Sequence, residues 1–331
     1  MKQNLLEIIK QATGASNATK GEVIQSLWSG YGEIVRIHLE GAAIDSVILK
    51  HVRFPTEADH PYGWHSDLSH SRKVKSYDVE MTWYADYANR CSKDCYVPHC
   101  YYSATLADDE HVMVLEDLDD AGFPVRRTEM DRPAVELCLN WIANFHATFL
   151  NESPAGLWHT GSYWHLATRP DELSRIGDPA LKAAATGIDA LLEKCRYKTF
   201  VHGDAKIANF CFSSDSRLVA AVDFQYVGGG CGMKDVVYFL GSCLDECLCD
   251  AWEQALLDCY FSCLRQAISK QGKAVDVDAL ELEWRAMFPV AWADFYRFLA
   301  GWMPGHWKVN DYSRRLTAQV ISQLSTQANM G

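Results

Sequence analysis

The chain has 331 residues, 48% of them hydrophobic, with 43 acidic against 31 basic side chains and a formal charge of -12. That length buries a sizeable core and exceeds the usual single domain, so two lobes are expected. The acidic balance, with no basic run interleaved with aromatics, argues against nucleic acid as a partner, and no stretch approaches the roughly 20 apolar residues of a membrane span.

The opening segment MKQNLLEIIKQATG breaks its short apolar stretch with Glu7 and Lys10, so it lacks a secretory core, and a soluble cytoplasmic protein is the expectation. From Glu22 to Val52 the pattern reads strand, turn, strand, turn, strand: VIQSLW, SGYG, EIVRIHLE, GAAID and SVILKHV, an antiparallel meander punctuated by Gly30, Gly32 and Gly41. A polar, His-rich stretch from Phe54 to Ser71 reads as a loop. A helix follows over Lys73–Asn89, with Tyr77, Met81, Tyr84 and Ala88 at helical spacing. Two more strand-like runs, YVPHCYYSAT and HVMVLEDL, close a small lobe set at residues 1–117. The large lobe, residues 118–331, is mainly helical. Asp131 with Pro133 opens a helix whose buried face carries Val135, Leu139, Ile142, His146 and Phe149. Short hairpin strands occupy Phe200–Phe224, and helices are expected over Lys234–Leu248, Asp250–Lys270, Asp278–Ala300 and Asp311–Thr326.

Twelve cysteines without an export signal read as reduced thiols. Cys243 with Cys247, and Cys259 with Cys263, lie one helical turn apart in apolar stripes, where cysteine acts as a small hydrophobe. Cys91, Cys95, His99 and Cys100 have a trace of metal spacing but lack the tight C-x2-C knuckle of structural zinc sites.

The segment carrying most chemical information is VHGDAKIANF, followed by VDF fourteen residues after Asn209. An acid is followed five residues later by an amide, and a second acid arrives on the next hairpin strand. Phosphoryl transfer needs an oriented hydroxyl and a magnesium ion held against phosphates, more than covalent help from the protein. Asp204 suits the first task. Asn209 and Asp223, as hard oxygen donors, suit the second. His202 and His146 read as braces, the latter on a buried helix face.

These residues resemble the catalytic and metal-binding loops of the aminoglycoside phosphotransferase and choline kinase-like superfamily. DFQ in place of DFG, with GGGCGMKDVVYFL after it, is most similar to the ecdysteroid kinase-like branch. The resemblance implies an α+β, two-lobed, protein-kinase-like fold and an ATP- and magnesium-dependent kinase of a small-molecule alcohol. It makes Asp204 the catalytic base, Asn209 and Asp223 the metal ligands, and Asp235 a helix-capping residue. Lys206 sits where members of this branch often carry an aromatic, and its ammonium would offset transition-state charge. In the small lobe, SGYG (Ser29, Gly30, Tyr31, Gly32) would cradle phosphates with its backbone. Lys50 interrupts its apolar strand as the VAIK-type lysine does. Such a lysine needs a counter-charge, and Glu80, between Tyr77 and Tyr84 on the apolar face of the next helix, is the candidate. Glu116, Asp117 and Leu118 fall where a hinge between lobes would offer its backbone to adenine. The acceptor would bind near the catalytic loop among the C-terminal tryptophans, with Trp302 and Trp307 of GWMPGHW as its contacts, and the acidic balance favours a cationic or neutral acceptor. With Lys50, Glu80, Asp204, Asn209 and Asp223 all present, an active kinase leads over an idle relative that only binds nucleotide or a partner.

Overall fold

A computed structural model describes residues 3–27, 30–54, 67–107 and 109–328. The described residues form two compact units. The first holds those up to Ser92, with Tyr96–Arg126 and Cys211–Gln225, and the second holds Lys93–Cys95, Arg127–Phe210 and Tyr226 onward.

The first unit is built on five antiparallel strands, β1 (Asn17–Ser26), β2 (Gly32–Glu40), β3 (Ser46–Arg53), β4 (Cys100–Ala107) and β5 (Glu110–Glu116), in the order β1-β2-β3-β5-β4. Alternation along a strand sends successive side chains to opposite faces. Val47 and Leu49 of β3 therefore join Val35, Ile37, Val112 and Val114 beneath helix α1 (Gln3–Thr13), which contributes Leu5 and Ile9. On the other face Val52 packs with Leu27, Tyr31, Phe54 and Tyr77, the last from helix α2 (Asp67–Thr82). Lys50 shares the face of Val52, and so looks toward α2.

β1 starts at Asn17, six residues before the expected VIQSLW run. It is an edge strand, exposed at most positions, so no apolar alternation marks its beginning. The expected helix over Lys73–Asn89 begins earlier, at Asp67, and after Thr82 widens into a π-helical turn, Trp83–Tyr87, then tightens to a 3-10 turn at Ala88–Arg90. Such single π turns recur at functional sites. The segment Cys211–Gln225 adds a short hairpin of β7 (Phe210–Phe212) and β8 (Val219–Ala221), packed through Cys211 and Ala220 on Leu118 and Phe123.

The second unit is mainly helical: α3 (Arg132–Thr148), α4 (Pro170–Arg175), α5 (Pro179–Glu193), α6 (Met233–Cys243), α7 (Glu246–Lys270), α8 (Val277–Trp302) and α9 (Asp311–Ala328). Strand β6 (Thr199–Val201) pairs with β9 (Gly228–Gly230). Side-chain caps start four of the helices, Asp131, Asp178, Asp245 and Asp276 each accepting from backbone N–H groups of the first turn. The cap at Asp245 breaks the expected Lys234–Leu248 helix in two: α6 stops at Cys243, Leu244 is extended, and α7 starts afresh. Cys243 and Cys247 therefore lie on different helices, with Cys247 exposed, and do not share one stripe. All twelve cysteines are free. Among the described residues no helix is long and apolar enough to cross a membrane, and no cluster of three or more His, Cys, Asp or Glu side chains could hold a metal ion.

Candidate active site

In the first unit, Lys50 is buried in the sheet and its Nζ donates to Glu80 Oε2 at 2.6 Å, with Asp223 Oδ1 3.9 Å away. The Tyr77 ring lies 5.7 Å from the same ammonium. Burial pushes the Glu80 carboxyl up and Lys50 beside it pulls the other way, so each charge is tolerated because the other is present. Asp223 has φ +70, a left-handed conformation that a non-glycine residue adopts only when its surroundings impose it. Those surroundings are visible on its C-terminal side. Phe224 stacks on Trp83 of the π turn at 4.5 Å and meets the edge of Tyr84 at 6.1 Å. Gln225 Oε1 accepts from Lys73 Nζ at 2.7 Å and from Ser76 Oγ at 3.3 Å, both on α2. The glutamine of DFQ thus ties α2 to the segment carrying Asp223, a role that its sequence position alone did not reveal.

Of the four SGYG positions, Ser29 lies outside the described residues. Gly30 is exposed with φ +74, and its N–H donates to Leu27 O at 3.2 Å. Gly32 has φ +129, and a Cβ there would sit 2.0 Å from His51 O, so glycine is obligatory. Tyr31 is buried, its hydroxyl 2.8 Å from His70 Nδ1 and its ring against Phe54, so what Gly30, Tyr31 and Gly32 offer an anion is backbone. The side chains of Glu116–Leu118 are also engaged. Glu116 accepts from Tyr96 Oη at 2.9 Å and His99 N at 3.1 Å, Asp117 takes Arg36 Nε at 2.5 Å and Ser46 Oγ at 2.7 Å, and Leu118 is core. Any ligand read by this segment is read through its main chain.

In the second unit the loop after β6 turns at Gly203, whose φ is +77 and whose added Cβ would lie 2.1 Å from Tyr226 O. The buried carboxylate of Asp235, in the first turn of α6, fixes this turn: it accepts from His202 N at 2.6 Å, Gly203 N at 3.0 Å and His146 Nε2 at 3.1 Å. The expectation that Asp235 caps a helix is corrected here. Gly232 is the N-cap residue and makes no side-chain cap, while Asp235 anchors the loop that leads to Asp204. His146, wholly buried, spans Asp235 and the Tyr260 hydroxyl (2.7 Å), the bracing role expected of it. His202 is buried too, and Asp204 N donates to its Nδ1 at 3.3 Å.

Asp204 Oδ2 accepts from Lys206 Nζ at 2.8 Å and Asn209 Nδ2 at 3.2 Å, and Asn209 Nδ2 also reaches the Asp204 carbonyl at 2.8 Å. Burial, with the Asp204 carboxylate and Tyr163 close by, pushes the Tyr238 hydroxyl of α6 well up, so it stays neutral. Ile207 N donates to Ser242 Oγ at 2.9 Å, pinning the far end of the loop to the same helix. Trp302 stacks on Phe298 at 5.5 Å beside a cluster of Trp164, Tyr238 and Phe295. Trp307 is exposed and lies against His306 at 5.8 Å. Trp284 and Trp292 are core. Sequence reading missed Lys308, whose Nζ stands over the rings of Tyr238 (5.1 Å), Phe295 (5.4 Å) and Trp307 (5.5 Å). It also missed the nearness of Tyr238 to Asp204, although Tyr238 lies within the GGGCGMKDVVYFL run. Lys308 carries no periodic or motif signal.

A five-stranded antiparallel sheet with a Lys–Glu pair to its helix, and a helical unit presenting an Asp-x4-Asn loop, define a protein-kinase-like fold of the small-molecule phosphotransferase type. The chain belongs to the ecdysteroid kinase-like family, whose model matches residues 66–151 and 166–273, more than half of the chain. Solved structures share the fold at low identity. The microcompartment-associated aminopropanol kinase is 17% identical, with 98% of this chain and 94% of that one covered and a TM-score of 0.50. Macrolide 2'-phosphotransferase MphH from Brachybacterium faecium is 15% identical (97% and 96% covered, TM-score 0.51). Amicoumacin kinase hAmiN, solved with AMP-PNP and Ca2+, is 12% identical (98% and 94% covered, TM-score 0.52). No curated protein matches the chain in sequence.

Proposed function

We propose that the protein is a cytoplasmic, ATP- and magnesium-dependent kinase that phosphorylates a hydroxyl group of a small molecule, with nucleotide handled by the first unit and acceptor by the second. The observation that carries this reading is the Asp204 carboxylate, held on a loop strapped to Asp235 and touched by Lys206 and Asn209, with Tyr238 nearby. A carboxylate so fixed can orient an alcohol and accept its proton as the O–P bond forms. Lys206, more than a third exposed, leaves Asp204 for the transferring phosphate and offsets its charge.

The residues present fit a magnesium–nucleotide complex. Asn209 commits Nδ2 to Asp204, so Oδ1 is the atom left for a cation, and Asp223 adds a carboxylate in an imposed conformation. Both are hard oxygen donors of the kind that magnesium takes. The ion supplies neutralisation of phosphate charge. Lys50, positioned by Glu80, binds α- and β-phosphate oxygens; the backbone of Ser29, Gly30, Tyr31 and Gly32 cradles the phosphates; the main chain at Glu116, Asp117 and Leu118 meets the adenine. A solved structure of similar fold in complex with AMP-PNP and Ca2+ supports the nucleotide reading. Trp302 and Trp307 border the acceptor.

The test is ADP release across a panel of hydroxylated compounds. Acceptor-dependent release that Asp204→Asn abolishes is expected. Nucleotide binding without turnover on any acceptor would instead indicate an idle, nucleotide-binding relative.

A further inference from the structure

The overall charge of the chain argues for a cationic or neutral acceptor, but the side chains around Asp204 argue otherwise. Lys308, on the segment joining α8 to α9, sets its ammonium over three aromatic faces, those of Tyr238, Phe295 and Trp307. Tyr238 is also near enough to Asp204 to feel its charge, so the box lies beside the catalytic carboxylate. Among the described residues no carboxylate forms an ion pair with Lys308, although Asp204 and Lys206 are both near enough to act on its charge. Those two form an ion pair of their own at 2.8 Å, and of the two Asp204 acts on Lys308 the more strongly. The other titratable neighbours are neutral: burial pushes the Cys243 thiol well up and that of Cys249 to about 12, and burial lowers His306. What remains beside the catalytic loop is an ammonium with no carboxylate at ion-pair distance among the described residues. The aromatic faces that would hold a substrate ammonium already hold this one.

Resting on the kinase reading, we infer that the acceptor is an alcohol that also carries an anionic group, a carboxylate or a phosphate, and that Lys308 in its aromatic box binds that group while the hydroxyl meets Asp204. A half-buried ammonium set over aromatic faces makes a stronger partner for an anion than a fully exposed lysine does, since less water must be displaced from it.

The experiment measures, by calorimetry on the full chain with magnesium and AMP-PNP present, the affinities of three matched alcohols: para-(hydroxymethyl)benzoate, para-benzenedimethanol and para-(aminomethyl)benzyl alcohol. The carboxylate is expected to bind about tenfold tighter than the diol, and the amine weakest. Lys308→Met should bring the carboxylate to within about twofold of the diol, while Lys308→Arg keeps the preference. Equal affinities, a preference for the amine, no binding of any of the three, or a carboxylate preference that survives Lys308→Met each overturns the inference. So does a Lys308→Met variant that loses AMP-PNP affinity and keeps the acceptor ranking, because the lysine would then serve the nucleotide. The wild-type ranking stands as a test by itself if Lys308→Met does not fold. Binding needs no turnover, so failure here is separable from failure of the kinase reading, which Asp204-dependent ADP release reports.

Discussion

Replacing Asp235 with Asn keeps the volume of the side chain and removes only its charge and one acceptor. The wild-type carboxylate takes His202 N and His146 Nε2 on Oδ2 and Gly203 N on Oδ1. The amide loses least when its oxygen faces the two donors on Oδ2, leaving the Gly203 N–H opposite an NH2 group. A buried donor stranded in this way costs about 1–3 kcal/mol, and the two surviving bonds, no longer to a charged acceptor, weaken by about 1 kcal/mol each. The sum, about 3–5 kcal/mol, is a large part of the ~5–15 kcal/mol that holds a typical domain. Urea unfolding followed by tryptophan fluorescence reads it directly, and Asp235→Asn should lower the midpoint while leaving the slope unchanged. Since Gly203 precedes Asp204, turnover at low denaturant should also fall by more than nucleotide affinity does. A destabilisation under about 1 kcal/mol, with turnover intact, would refute the view that Asp235 holds the catalytic loop.

Glu80→Met alone strands a buried ammonium and should destabilise the protein by about 3–5 kcal/mol, whereas Lys50→Met with Glu80→Met should recover most of that loss. A double-mutant cycle in urea checks it, and a double variant as unstable as the summed singles would contradict it. Lys308, lowered to about 8 mainly by burial, is charged below that pH and neutral above it. Affinity for an anionic acceptor should therefore be fully present near pH 7 and fall about tenfold by pH 9, when roughly a tenth of the lysine stays protonated. Lys308→Arg, charged throughout, should flatten that profile over the same range.

Much of this arrangement could be read from residue order, and the parts that could not have physical reasons. The inner strands β2, β3 and β5 announce themselves because burial enforces apolar patterning, whereas β1 lies at an edge where polar residues suffice. The partnership of Lys50 and Glu80 follows from a charge placed on each of two apolar faces, since a buried ammonium demands a carboxylate. The helix break at Asp245 was hidden because Leu240, Leu244 and Leu248 keep helical spacing across it; the extended Leu244 and the cap from Asp245 to Leu248 N separate the two helices. Helices α1 and α5 do carry helical spacing, Leu5 with Ile9 and Leu181 with Ala185, Ile188 and Leu192, so they were legible though not read, whereas α4 has only six residues. Asp204, Asn209 and Asp223 declare themselves by spacing because one loop and one hairpin carry them. Tyr238 and Lys308 do not, because folding alone brings a helix face and an inter-helix segment to the catalytic loop.

The most direct test of the central claim follows phosphorus itself: 31P spectra of the purified protein with magnesium ATP and a mixture of hydroxylated acceptors. A new phosphomonoester resonance should grow in step with ADP, and Asp204→Asn should suppress both while still binding nucleotide. ADP accompanied only by inorganic phosphate, or ester formation that persists without the Asp204 carboxylate, would contradict the account.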